Sequence, residues 1–178
     1  MSHSPLNLNR RKFLAVGVAG AGALAIAGWL RRTPPPAAGS VTSNISVDGQ
    51  DILRAIVPVM LAGALPVDSS ARATAIAQTL AALDTAIGGL PAAAQAELAQ
   101  LFNLLSLPPV RLAVARIDAP WAQAAPDQVR ACLDRFRGSS VQLLRAAYDA
   151  LHQLTFAAWY GQPQAWAAIG YPGPPALA

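Results

Sequence analysis

Apolar residues recur at three- and four-residue intervals through most of residues 47–160, and no stretch alternates with period two. A chain with that spacing can bury one side of itself only by coiling, so the sequence predicts an all-α body, an irregular bundle of five to six helices. Val47-Asp48 opens the first helix, with Ile52, Ile56, Val59 and Met60 on one stripe, and Pro58 predicts a kink or an early stop. Asp68-Ser69-Ser70 is an N-cap cluster for a second helix carrying Ile76, Leu80, Leu83 and Ile87, which Gly88-Gly89 ends. Pro91 starts a third, with Leu98, Leu101, Phe102 and Leu105 ahead of Pro108-Pro109. The segment Val110 to Ile117 reads as a short helix. Pro126-Asp127 begins another, with Val129, Leu133 and Phe136, closing near Gly138. Ser139 or Ser140 is expected to cap the last long helix, where Leu143, Leu144, Ala147, Leu151 and Leu154 face inwards as far as about Tyr160. A further helical turn is expected around Pro163 to Ala168, before a tail rich in Pro and Gly.

Ahead of this body lies a segment of a different kind. Asn9-Arg10-Arg11-Lys12-Phe13-Leu14 leads into eighteen uncharged residues, Phe13 to Leu30, closed by Arg31-Arg32. A basic stretch followed by a moderately apolar one is an export signal and is excluded from fold reasoning. Adjacent Arg10 and Arg11, with Phe13 and Leu14 close behind, resemble the twin-arginine (Tat) consensus. Four glycines in the apolar stretch keep it less hydrophobic than a Leu-rich secretory signal, and the arginines after it point the same way. Residues 1–32 are therefore assigned as a twin-arginine signal, 33–46 as a Pro/Ala/Ser linker, and 47–178 as the helical domain. Cleavage near Ala37-Ala38-Gly39 releases the domain to the periplasm; an uncleaved leader tethers it to the inner membrane. The twin-arginine route carries proteins already folded in the cytoplasm, so the body is expected to fold before export.

Charge separates along the same boundary. Five of the thirteen basic residues lie in the leader, leaving eight arginines against nine acidic residues in the body. The basic pI is thus a property of the leader, and nothing in the body marks a nucleic-acid surface. Cys132 is the sole cysteine, which excludes an intramolecular disulfide. About 140 residues beyond the leader are enough for one small domain with a real core.

The body offers no self-contained active site. Gly20-Ala21-Gly22 with Ala25 matches a dinucleotide-binding pattern, but it sits inside the apolar leader with no strand–helix–strand unit after it. His3 and His152 are the only histidines, and with a lone cysteine they define no metal or haem site. Ser139-Ser140 lack a nucleophile elbow, and Cys132 reads as a small buried hydrophobe beside Phe136. Arg130 with Asp134, and Arg145 with Asp149, are spaced as pairs on solvated helix faces. No catalytic, cofactor-binding or metal-binding residue is assigned, and the chain is expected to hold no cofactor of its own.

The other informative stretch is C-terminal. Trp159, Tyr160, Trp166 and Tyr171 place four of the chain's eleven aromatics within thirteen residues, among Gly and Pro. They either pack on the chain's own helices or anchor a partner, since Trp and Tyr are favoured as hot spots. These four are the candidate partner-binding residues.

The twin-arginine leader, the short helical body and the ending Trp-Tyr-Gly-Gln-Pro-Gln-Ala-Trp-Ala-Ala-Ile-Gly-Tyr-Pro-Gly-Pro-Pro resemble the small subunits of bacterial membrane-associated flavoprotein dehydrogenases. These are the gluconate 2-dehydrogenase subunit 3 type and the gamma subunits of FAD-dependent glucose and sorbitol dehydrogenases. The overlap runs from about Leu107 to Pro175 and includes Pro108-Pro109-x-Arg111 and Arg135-x-Arg137-x-Ser139. The resemblance implies a non-catalytic subunit that carries the export signal for a large partner of the glucose-methanol-choline (GMC) oxidoreductase type. FAD is then expected in that partner, electrons pass to a cytochrome c subunit, and the Tat translocase is a transient partner. The alternative is a membrane-tethered periplasmic interaction protein unrelated to oxidoreductases.

Overall fold

The computed structural model describes residues 43–172, so the leader (with Arg10, Arg11, Phe13 and Leu14), the glycine pattern Gly20-Ala21-Gly22, the cleavage segment Ala37-Ala38-Gly39 and the end of the tail lie outside the described residues. The described residues are helical, without strands. Five long helices carry the fold: α1 (Val47–Met60), α2 (Ser69–Gly88), α3 (Ala92–Ser106), α5 (Pro126–Arg137) and α6 (Gln142–Tyr160). Shorter pieces join them: α4 (Pro108–Val110), continued by a π-helical turn (Arg111–Ala115), a 3-10 turn (Trp121–Gln123) and α7 (Pro163–Ala168).

The central helix is α1, which packs against α2, α3, α5, α6 and the 3-10 turn. It begins where the Ser46 hydroxyl accepts from the Gly49 N–H at 3.2 Å, a side-chain cap on an otherwise unpaired donor. Ile52, Leu53, Ile56 and Val57 are buried on two adjacent rows, whereas Val59 and Met60 are half-buried. The buried face is therefore wider than one stripe, as a helix surrounded by neighbours requires. Pro58 is accommodated inside the last turn, where it removes one backbone donor; the helix ends at Met60, and Gly63 at φ 90° turns the chain away. Gly49 marks the close approach to α3; a Cβ there would lie 2.8 Å from Ile45 and 3.0 Å from the Phe102 ring.

Helix α2 starts as expected, with Asp68 Oδ1 accepting from the Ala71 N–H at 2.8 Å. Its buried row is Ala75, Thr79, Leu83 and Ile87, while Ile76 and Leu80 are only half-buried. Leu83 and Ile87 are buried as the sequence predicts, and the expected face is corrected only in its first half, where Ala75 and Thr79 take the places of Ile76 and Leu80. Ala75 and Thr79 are buried on a helix that packs against α1 and α6, and small side chains on a packed face let neighbouring backbones approach. On α3 the buried residues are Leu98, Phe102 and Leu105. Leu107, held extended ahead of Pro108, ends α3, and the chain bends by 75° into the next helical segment. No single helix among the described residues is long and apolar enough to cross a membrane.

Three further expectations are corrected. The end of the linker is not free chain: Asp84 accepts from Ser43 Oγ at 2.6 Å, Asn44 N at 2.8 Å and Ile45 N at 3.1 Å, and Ile45 is buried. Neither Ser139 nor Ser140 caps α6; Val141 holds the cap position, and Ser139 Oγ accepts from the Val141 N–H at 3.1 Å. Leu143 is 56% exposed, because it lies in the first turn of α6, where no neighbouring helix covers it. The arginine pairing also differs, with Arg130 bound to Asp127 and Arg137 to Asp134, each at 3.3 Å, in place of Arg130 with Asp134. Arg145 donates to the Ser139 carbonyl rather than to Asp149.

Candidate functional site

Helix α6 presents two adjoining rows with different fates. Ala147, Leu151, Thr155, Ala158 and Trp159 are buried against the body. One position along, Tyr148, His152, Phe156 and Tyr160 recur every four residues and form a ladder of rings. Ring centroids are 5.6 Å apart for Tyr148–His152, 4.3 Å and stacked for His152–Phe156, and 5.9 Å for Phe156–Tyr160. The first three are half-buried and Tyr160 is exposed. A one-residue step is 100° around a helix, which carries this row from the core to its margin.

After Gly161 the chain folds back. Gln162 Nε2 donates to the Ala158 carbonyl at 2.7 Å, and buried Ala165 seats α7. Trp166 is half-buried; its indole N–H donates to the Tyr160 carbonyl at 2.8 Å, and its ring meets Tyr171 edge-on at 5.5 Å. Gly170, at φ 68°, supplies the left-handed residue that brings Tyr171 back to Trp166. Of the four residues singled out by sequence, the structure gathers Tyr160, Trp166 and Tyr171 at the end of α6. Trp159 is 2% exposed and belongs to the core, so its expected role as a contact residue is corrected. The strict four-residue spacing of Tyr148, His152, Phe156 and Tyr160 was the signal that extends the aromatic face, and it is visible in the sequence.

Three of the eight exposed large hydrophobic residues among those described, Tyr160, Ile169 and Tyr171, lie at this end of α6 and on the return, whereas Val141 and Leu143 lie at the opposite end of the helix. Such surface is unfavourable in water unless something covers it. Exposed Asp149 and Gln153 of α6 and Gln164 of the return are the polar side chains near it in sequence.

His152 is sandwiched in the ring ladder. Cys132 is buried, and loss of solvent pushes its thiol up to about 11. No group of three His, Cys, Asp or Glu side chains among the described residues is placed to hold a metal ion.

Arg111 and Arg135, distant in sequence, converge on one loop. The Arg111 guanidinium donates to the carbonyls of Ile117 (3.2 Å), Asp118 (2.7 Å) and Ala119, and Arg135 donates to the Ala115 carbonyl. Between them Arg116 adopts the left-handed conformation, at φ 54°. The loop follows a π-helical turn, and its outward carbonyls need donors that the backbone does not supply. These two arginines hold the main chain while Ile117 is fully buried beneath.

Comparison with models of known protein families, with curated proteins and with solved structures finds no match to this chain.

Proposed function

We propose that this chain is a non-catalytic accessory subunit that escorts a larger, FAD-bearing GMC-type dehydrogenase subunit through the Tat pathway and stabilises it in the periplasm. The observation that carries the reading is the aromatic row along α6 and its return, where Tyr160 and Tyr171 are exposed beside half-buried Trp166 at the C-terminal end of the helix. That face calls for a cover, and a protein surface with apolar pockets between polar margins is the kind that Trp and Tyr anchor best. The twin-arginine leader adds a route for a folded complex, and the C-terminal resemblance names the class of partner. In this reading the flavin, the substrate and the electron acceptor belong to the partner, and a cytochrome c subunit receives the electrons. The chain remains at the inner membrane if its leader is uncleaved.

The test is purification of the tagged full chain from the periplasm and membranes of its native host, followed by an absorption spectrum. A flavin spectrum with a larger co-eluting polypeptide is expected. A colourless, single-polypeptide preparation refutes the escort reading and leaves a tethered helical interaction protein. Changing both Arg10 and Arg11 to Lys is expected to strand chain and flavoprotein together in the cytoplasm; unaltered export refutes the Tat assignment.

A further inference from the structure

On the body lies a cleft of about 510 Å³ that α1, the start of α2, the 3-10 turn and α5 build between them. Pro58 and Val59 of α1 line it together with Trp121. The Trp121 indole N–H is already committed to the Leu105 carbonyl at 2.9 Å, so its contribution to the wall is apolar carbon. Arg54, Arg72 and Arg130 also line the cleft, one from each long helix around it, and no acidic side chain does.

Two of these guanidiniums have partners on their own helix: Arg54 donates to Asp51 at 2.7 Å and to Gln50 Oε1 at 2.9 Å, and Arg130 pairs with Asp127 at 3.3 Å, both arginines with side chains more than half exposed, where such pairs contribute little to stability. Arg72 gives its Nε–H to the Pro66 carbonyl at 3.0 Å and has no acidic partner among the described residues. Both of its terminal nitrogens remain available in the planar geometry that suits a carboxylate or phosphate. The volume falls within the range of small-molecule sites, and apolar surface with convergent charge is their usual composition.

We infer that this cleft binds a small amphiphilic anion, a carboxylate or phosphate head held by Arg72 with Arg54 and Arg130, its short apolar body lying on Pro58, Val59 and Trp121. The charge decides the class. A neutral ligand leaves Arg72, which has no acidic partner among the described residues, unanswered, and a cation adds to the positive charge of the lining. The cleft is independent of the aromatic face and of the partner proposed for it.

Isothermal titration of the full chain with octanoate tests this, with octanol and inorganic phosphate as probes lacking the charge or the apolar body. Octanoate is expected to bind with a Kd of about 0.1–1 mM, at least tenfold tighter than either control. The triple variant Arg54→Gln, Arg72→Gln, Arg130→Gln is expected to weaken octanoate by about tenfold or more with its helical circular dichroism unchanged. If the triple variant fails to fold, Arg72→Gln alone, which gives up one exposed hydrogen bond, is expected to weaken octanoate by about threefold. Equal affinity for octanol, or affinity indifferent to Arg72→Gln, overturns the inference. So does flotation with phosphatidylglycerol vesicles in the absence of octanoate binding, which would make the cleft a bilayer contact.

Discussion

Replacing Trp159 and Trp166 separately by alanine should give opposite phenotypes, although the two lie seven residues apart in the same aromatic stretch. Trp159 is 2% exposed on the core row of α6. Its removal forfeits the transfer free energy of an indole and leaves a cavity, about 3–5 kcal/mol for a buried aromatic. A domain of this size has roughly 5–15 kcal/mol in total, so Trp159→Ala is expected to be marginal and to show a much lower denaturation midpoint. Trp166 is half-buried, and its truncation gives up one hydrogen bond to the Tyr160 carbonyl, one edge contact with Tyr171 and the part of its ring that packs on the core. That is about 2–3 kcal/mol, less than for a fully buried indole. At the partner surface the order reverses. If Trp166 is a hot spot, Trp166→Ala weakens the complex by about 2 kcal/mol, roughly a thirtyfold rise in Kd, while the body stays folded. Guanidinium denaturation followed by circular dichroism reads the first effect, and co-purification with the flavoprotein reads the second. An unchanged midpoint for Trp159→Ala refutes the core assignment. Undiminished co-purification of a Tyr160→Ala, Trp166→Ala double variant refutes the docking face.

Other consequences are more local. Asp84→Ala removes the acceptor for four donors at residues 43–45 and is expected to cost about 2–3 kcal/mol after allowing for its partial exposure, with Asp84→Asn intermediate; equal midpoints for all three proteins would show that the junction is not held there. Thr155 Oγ1 is buried without a hydrogen-bond partner among the described residues, so Thr155→Val, close to isosteric, is expected to raise stability by about 1 kcal/mol; a destabilisation of that size would reveal a partner for the hydroxyl. The Cys132 thiol is raised from 9.0 to about 11 by burial. Its neutral form is favoured on folding, so this contribution is fully present below pH 9 and is lost as pH rises towards 11. Alkylation by iodoacetamide at pH 8 should therefore be slow for the native chain and fast once it is unfolded, and equal rates in the two states would contradict the burial.

The helices and most of their ends were legible because their causes are local. Asp68 caps α2, Pro126 occupies the first turn of α5, and Gly89 and Gly161 stand at the ends of α2 and α6, so each boundary is marked by a residue within one turn of it. Where a cap depends on how the preceding loop is held, as at Ser139, the local rule failed. The candidate site was half legible: the sequence shows where the aromatics are, but Trp159 and Tyr160 are adjacent letters with the same apparent merit.

By itself, then, the sequence determined the all-α class, the division between a basic, apolar leader and a nearly neutral body, and the aromatic C-terminal stretch, since period, charge and composition are properties of the chain alone. Only the tertiary structure decided which row of each helix is inside. A helix spreads its side chains around a full circle, and the neighbours that pack on it choose the buried arc. That choice put Ala75 and Thr79 rather than Ile76 and Leu80 in the interior of α2, and sent Trp159 inwards and Tyr160 out. It also brought Arg111 and Arg135 to one loop, and Arg54, Arg72 and Arg130 to one cleft, across sequence distances that no local rule spans.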